Sequence, residues 1–329
     1  MALSLTRQQF LAAGLAAIPA RSYAQASTPL LLRYTAATIG AADIEGLAAL
    51  YNQMFGYEIA ERGTIDPALA ISWGTPRMSG RRFINLRQAT GENVFVRAVA
   101  IDPMPGFKAA TTLGWNSIEL VSDNPDKIGE KLKGSPIAIL GQPAQLKGFP
   151  SIRAMQTLGP AQEVIHITSE TGDQKTSPLP PPPKGGGVGR IFIIVLAVSD
   201  VARTNDWYAA TFNMSKNPLR HDPISIVNGA QNLPADHAAD ATYIRMAEQG
   251  NPLEFWGFDG AAAVPRPRGF EQLPPGVAMA TLAVKDLDAI KGVAWLRPPA
   301  KRDGLVYGGR RAATFFGPSG ELVELVEEK

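Results

Sequence analysis

The sequence predicts an α+β protein of four strand–helix–strand–strand–strand modules, paired into two domains with mixed, cup-shaped sheets. Three observations carry this. Asp43, Tyr51 and Phe55-Gly56-Tyr57 return as Asp200, Tyr208 and Phe212-Asn213-Met214, every one shifted by 157 residues. Matching type and spacing over a strand end, a helix and a turn signals an internal repeat, and repeats imply stacked copies of one unit. Residues 171–189 join a proline run to a glycine run. Proline favours extended backbone and glycine free rotation, so this stretch reads as a linker between two halves. Finally, strand-like and helical periodicities run through twice in each half.

The first 26 residues stand apart. Arg7 precedes the apolar run Phe10-Leu11-Ala12-Ala13-Gly14-Leu15-Ala16-Ala17-Ile18, followed by Pro19 and the small-residue site Ala24-Gln25-Ala26. This is the layout of a secretory signal, and the run is too short to span a bilayer. Thr6-Arg7-Gln8-Gln9-Phe10-Leu11 is similar to a twin-arginine export signal, with Gln8 in place of the second arginine. The expectation is a periplasmic or secreted protein.

Module one follows, with a strand near Leu31–Thr38 and a helix from Asp43 to about Phe55. Asp43 suits an N-cap, because its carboxylate can accept a free helix N–H. Ile44, Leu47, Leu50, Tyr51 and Met54 recur at helical spacing, and Gly56 suits the helix end. Strands near Arg82–Arg87 and Asn93–Ala100 complete it. Module two has strand Asn116–Val121, helix Pro125–Leu132 after Asp123, and strands Ile152–Gln156 and Glu163–Thr168. Module three has Ile191–Val198, a helix from Asp200 to Phe212, then Thr242–Met246 and Leu253–Phe258. Module four has Val277–Val284, a short helix from Asp286, then Arg311–Phe316 and Glu321–Val326. One such module leaves a sheet face bare, so modules must pair to bury it. The expected domains are 27–170 and 190–329, two modules in each.

Charge and cysteine content exclude several classes. The chain has 32 Lys and Arg against 30 Asp and Glu; Arg7 and Arg21 belong to the leader, which leaves 30 of each. A balanced chain offers no basic footprint for nucleic acid and no polybasic membrane anchor. With no cysteine there is no disulfide, thiolate zinc site or cysteine nucleophile.

Leu196-Ala197-Val198-Ser199-Asp200-Val201 and Leu282-Ala283-Val284-Lys285-Asp286-Leu287 stand at first-strand exits. Trp207-Tyr208 with Phe212-Asn213-Met214, and Leu50-Tyr51 with Phe55-Gly56-Tyr57, form a helix signature. Phe316-Gly317-Pro318-Ser319-Gly320-Glu321-Leu322-Val323-Glu324-Leu325 forms a closing hairpin. In order and spacing these motifs resemble the vicinal oxygen chelate superfamily: glyoxalase I, bleomycin and fosfomycin resistance proteins, and extradiol dioxygenases. The resemblance implies βαβββ modules paired into two glyoxalase-like domains. It also implies a cup between paired modules that holds a divalent metal (manganese, iron, magnesium or zinc). Paired modules are exchanged between chains in that superfamily, so it also allows a homodimer.

The resemblance places ligands on the first strand, seven residues before the exit aspartate, and on the last strand. The first rule gives Asn116, Ile193 and Met279, with Ala36 in module one. The second gives Glu324, Glu254 and His166, and Phe95 or Val96 in module one with Arg97 next. No histidine stands on a first strand, so the three-ligand iron set of a dioxygenase cannot be assembled from these positions.

The expected catalytic residues are therefore Glu254, Glu324 and His166, with Glu254 and Glu324 as metal ligands. Trp115, Asn116, Ile193, Met279 and Trp256 would line the pocket. Two alternatives stay open for the glutamates. Side by side in an apolar cup they would share a proton as acid and base; at the sheet rim they would bond solvent or backbone. His166 also reads as a packed strand residue, and His221 and His237, beside Asp222 and Asp236, as solvated loop residues. The expected function is that of an exported lyase, isomerase or ring-opening oxygenase acting on a small apolar or oxygenated organic molecule. The alternatives are a protein that binds such a molecule without chemistry and a partner-binding duplication.

Overall fold

The computed structural model describes residues 28–89, 92–267, 269 and 271–328. Residues 1–26, the expected export leader, lie outside the described residues. Module one comprises β1 (Leu31–Ala41), α1 (Ile44–Phe55), β2 (Tyr57–Thr64), α2 (Pro67–Ser72), β3 (Arg82–Gln88) and β4 (Phe95–Ala100). Module two comprises β5 (Gly114–Ser122), α3 (Pro125–Leu132), β6 (Ala138–Leu146), β7 (Phe149–Leu158) and β8 (Val164–Glu170). Module three comprises β9 (Val188–Val198), α4 (Val201–Phe212), β10 (Arg220–Pro223), α5 (Ser225–Gln231), β11 (Ala238–Arg245) and β12 (Pro252–Gly257). Module four comprises β13 (Gly276–Val284), a 3-10 turn at Leu287–Ala289, β14 (Ala300–Lys301), β15 (Arg311–Phe316) and β16 (Leu322–Glu327).

In every module the helical segment that follows the first strand starts on a side-chain cap. Asp43 accepts from Gly46 N–H, Asn124 from Asp126 and Lys127, Asp200 from Arg203, and Asp286 from Asp288. These bonds satisfy first-turn donors that have no partner inside the helix. α1 stops at Gly56, at φ 73°, and α4 at Asn213, at φ 56°. Both are left-handed positions that glycine or asparagine adopts at least cost. In module two the cap is Asn124, while Asp123 holds the chain before β9, its Oδ1 accepting from Gly187 N–H at 2.9 Å.

The modules make two eight-stranded sheets, and these do not follow the halves. One runs β14-β15-β16-β13-β1-β4-β3-β2 and the other β10-β11-β12-β9-β5-β8-β7-β6. Module one therefore pairs with module four and module two with module three, each through antiparallel first strands. This corrects the expectation that 27–170 and 190–329 each close a domain; every cup is built from both halves. The physical reason is that first strands join by backbone bonds, which carry no address beyond an apolar face.

Within each half the modules are joined through helices. Tyr51 on α1 donates to Glu163 at 3.0 Å, and Tyr208 on α4 donates to Glu321 at 2.6 Å. Each glutamate sits in the hairpin before the last strand of the adjoining module. The repeated tyrosines are thus clasps. A single apolar core, containing Tyr34, Tyr51, Trp115, Ile118, Tyr208, Phe255 and Phe315, runs between the two sheets.

The Pro/Gly segment is packed. β9 begins at Val188, so the last residues of 171–189 join the sheet opposite Ser122. Leu179 is buried and Gln249 donates to Ser177 O at 3.1 Å. Among the described residues no helix is long and apolar enough to cross a membrane.

Candidate functional site

Counting five residues back from each helix cap gives Thr38, Glu119, Val195 and Thr281. Each lies opposite a last-strand residue in parallel register: Thr38 with Arg97, Glu119 with His166, Val195 with Glu254, and Thr281 with Glu324. These four pairs are the equivalent floor positions of the two cups.

In the cup of modules one and four the floor is closed. Arg97 Nη2 lies 2.8 Å from Glu324 Oε2, with side chains 2% and 1% exposed. Arg97 also donates to Thr38 at 2.8 and 3.0 Å and to the Tyr307 hydroxyl at 2.6 Å. Glu324 accepts from Trp73 Nε1 at 2.7 Å, Tyr307 at 2.9 Å and Thr281 at 2.9 Å. The guanidinium stacks over Trp73, 4.7 Å from the ring centre. The pair is thus both charge-matched and hydrogen-bonded, as a buried pair requires. Met279 is buried among Trp73, Met78, Tyr307 and Leu322, a packed core.

The cup of modules two and three is open. A cavity of about 1230 Å³ lies over its floor, walled by Ile152, Ile193, Leu179, Ala241 and Trp256. Glu119, His166 and Glu254 all line it, with side chains 10%, 8% and 14% exposed. Glu254 accepts from Trp256 Nε1 at 3.0 Å, and Arg220 Nη2 lies 3.7 Å away. Around Glu119 stand the Thr168 hydroxyl, at 3.3 Å, and His166 Nδ1, at 3.9 Å. His166 packs edge-on to Trp256, ring centres 5.6 Å apart, and its Nε2 is buried with no hydrogen-bond partner among the described residues. Burial and the nearby Glu254 charge push Glu119 well above the usual carboxylate range, and burial raises Glu254. Burial lowers His166 to about 4, so its ring is neutral near pH 7.

The structure separates the residues the sequence joined. Glu254 and Glu324 stand in different cups, so they share neither a metal nor a proton. Repulsion is instead between Glu254 and Glu119. Trp115 lies in the shared core, donating to Leu322 O at 2.8 Å, and does not line the cavity. Asn116 is buried but spends its amide on Ala110, Thr112 and Gly114, which fixes the loop before β5. His166, Ile193 and Trp256 line the open cup. His221 and His237 lie beside Asp240 and Asp259, away from the cup floor. Sequence reasoning missed Glu119, Arg97 and Arg220 as site residues. The signal for Glu119 was Asn124, rather than Asp123, as the helix cap, which restores the common five-residue count.

The donor set does not fit a resident divalent metal. Among the described residues no three His, Asp or Glu side chains are grouped for coordination. Val195 supplies no donor at its floor position, which leaves too few oxygen and nitrogen ligands in one place for a hard divalent cation.

Scans against protein-family models and curated proteins return no match. Among solved structures the chain is similar to glyoxalase I from Zea mays, at 17% identity and TM-score 0.59, covering 90% of this chain and 92% of that one. It is likewise similar to a proposed dioxygenase from Bacillus subtilis, at 10% identity and TM-score 0.60, covering 92% of this chain and 86% of that one. The chain thus has a glyoxalase-like fold. At such identities the likeness is one of fold.

Proposed function

We propose that the protein takes a small, largely apolar oxygenated molecule into the cup of modules two and three and moves a proton on it, in the manner of an isomerase or lyase. The observation that carries this is the convergence of Glu119, Glu254 and His166 on one large apolar cavity, while the other cup is sealed by Arg97 and Glu324. Two repelling carboxylates in an apolar wall hold a proton more tightly than free carboxylates do, so one can act as acid and the other as base. No metal is required for that step. His166, neutral and packed on Trp256, holds the wall beside Glu119.

The reading is tested with 2-tetralone, a flat ketone with acidic α-hydrogens. Binding is followed by the change in tryptophan fluorescence that is lost in Trp256→Phe, and α-hydrogen exchange into deuterated water by NMR. Exchange above the buffer rate that falls by about a hundredfold in Glu119→Gln and Glu254→Gln is expected. Binding without faster exchange would favour the second reading, sequestration without chemistry, which the engagement of Glu254 by Trp256 and Arg220 supports.

Export belongs to the same proposal, on the strength of the leader's composition. The full chain expressed in a bacterium is expected in the periplasmic fraction, shortened at Ala26, and in the cytoplasm once residues 1–26 are deleted. Retention of the full-length form in the cytoplasm would overturn it.

A further inference from the structure

The floor of the open cup is unbalanced in charge. Glu119 and Glu254 face it, and among the described residues Arg220 alone stands against them, at Glu254 and not at Glu119. Tyr34, close by on β1, offers no hydrogen to either, because its hydroxyl donates to Pro252 O at 2.8 Å and accepts from Ile194 N–H. The remaining charged groups at the cavity are at the rim. Arg245 sits over the Tyr243 ring, Glu248 pairs with Arg33, and Lys147 and Asp222 are exposed. With both carboxylates ionised the floor carries one surplus negative charge. Beside it His166 Nε2 is buried and unpartnered among the described residues.

We propose that this floor receives an organic monocation, a protonated amine on an apolar body, with the ammonium against the carboxylates of Glu119 and Glu254. A primary ammonium has N–H donors and no acceptor, and the floor presents two carboxylates to take them. The edge of Trp256 and the aliphatic wall of Ile193, Ile152 and Ala241 receive the apolar body. A neutral oxygenated ligand leaves the surplus charge where it is, or leaves a proton on Glu119. A cation removes the repulsion between the glutamates and displaces that proton to solvent, so its binding is coupled to proton release. The same cation leaves Glu119 ionised, ready to act as base on a neighbouring C–H of the ligand. The inference rests on the cup being the binding site and adds the chemical class of what enters it.

The test compares 1-naphthylmethylamine with 1-naphthylmethanol, which share an apolar body and differ in the charged group. Titration calorimetry on the full mature chain at pH 7, repeated in buffers of different ionisation enthalpy, gives affinity and proton release together. The amine is expected to bind at least about tenfold tighter than the alcohol, with release of a fraction of a proton up to about one. In Glu119→Gln the amine should lose that advantage and the proton release, while alcohol binding changes little. If the alcohol binds as tightly as the amine, the cup stands as a binding site and the cation class is overturned. If neither binds to protein whose unfolding transition is intact, the reading of the cup falls as well. The wild-type comparison decides the matter even if Glu119→Gln does not fold.

Discussion

Arg97 and Glu324 come from opposite halves of the chain and meet at the floor of the closed cup, both essentially without solvent. Burial opposes the Arg97 charge, yet Tyr307 and Glu324 outweigh it and hold the guanidinium above its ordinary value. Arg97 therefore stays charged across working pH. Removing one partner strands the other in a site without water, which costs about 3–5 kcal/mol, whereas replacing both with apolar groups removes both charges. Glu324→Gln is expected to lower unfolding stability by roughly that amount, and Arg97→Met with Glu324→Leu to recover part of it, read by urea denaturation. The recovery is partial because Trp73 and Tyr307 then lose their acceptor. Losses in the double variant equal to the sum of the two single losses would show that no pair is being measured. The same position in the other cup is filled by Glu254 without an arginine partner on the opposing strand, and that difference separates a plugged cup from an open one.

The helices and hairpins carry a second device in duplicate. Burial lifts Glu163 and Glu321 to about 7, although backbone N–H groups and the hydroxyls of Tyr51 and Tyr208 pull them down. In the unfolded chain each has its ordinary value of 4.5. Between those values the folded state holds protons that the unfolded state has released, so stability is full below about 4.5 and is lost as pH rises through about 7. Each clasp gives up on the order of 3 kcal/mol over that window. His166 works in the opposite sense, since its folded value of about 4 lies below the ordinary 6.5, and offsets a part of the loss on the acid side. The expected outcome is a lower urea midpoint at pH 8 than at pH 5, with the slope flattened in Glu163→Gln combined with Glu321→Gln. A slope unchanged in that double variant would place the proton linkage elsewhere. These elements were legible in the sequence because caps and helix periods are local: Asp43, Asp200, Asp286, Tyr51 and Tyr208 announce themselves by spacing. The floor of the cup was less so. Module two carries Asp123 and Asn124 side by side, and either can cap a helix. Taking the first, with a seven-residue count, led to Asn116 and passed over Glu119. Arg97 escaped because a cation at a ligand position is a replacement for a metal site and not a variant of one.

At the scale of the whole molecule, what the sequence could not show was which modules pair. β1, β9 and β13 are largely apolar, β5 mixes polar Asn116, Ser117 and Glu119 with apolar Ile118 and Leu120, and neither pattern names an antiparallel partner. The structure pairs β1 with β13 and β5 with β9, so the halves are held together by both sheets and by one core between them. Residues 28–170 and 188–328, expressed separately, each contain two modules with an unpaired first-strand edge on both, and such edges seek a partner. Neither half is expected to be a folded monomer. Alone, each should aggregate or form a homodimer by pairing its own modules across two copies, while mixing the two should yield a 1:1 complex that recovers the far-UV spectrum of the intact chain. Light scattering after size exclusion distinguishes these states. Two independently folded monomeric halves would contradict the cross-paired sheets. Because the open cup draws Glu119 and His166 from the first half and Ile193, Arg220 and Glu254 from the second, ligand binding should return only in the 1:1 complex. Binding by either half alone would move the site out of that cup.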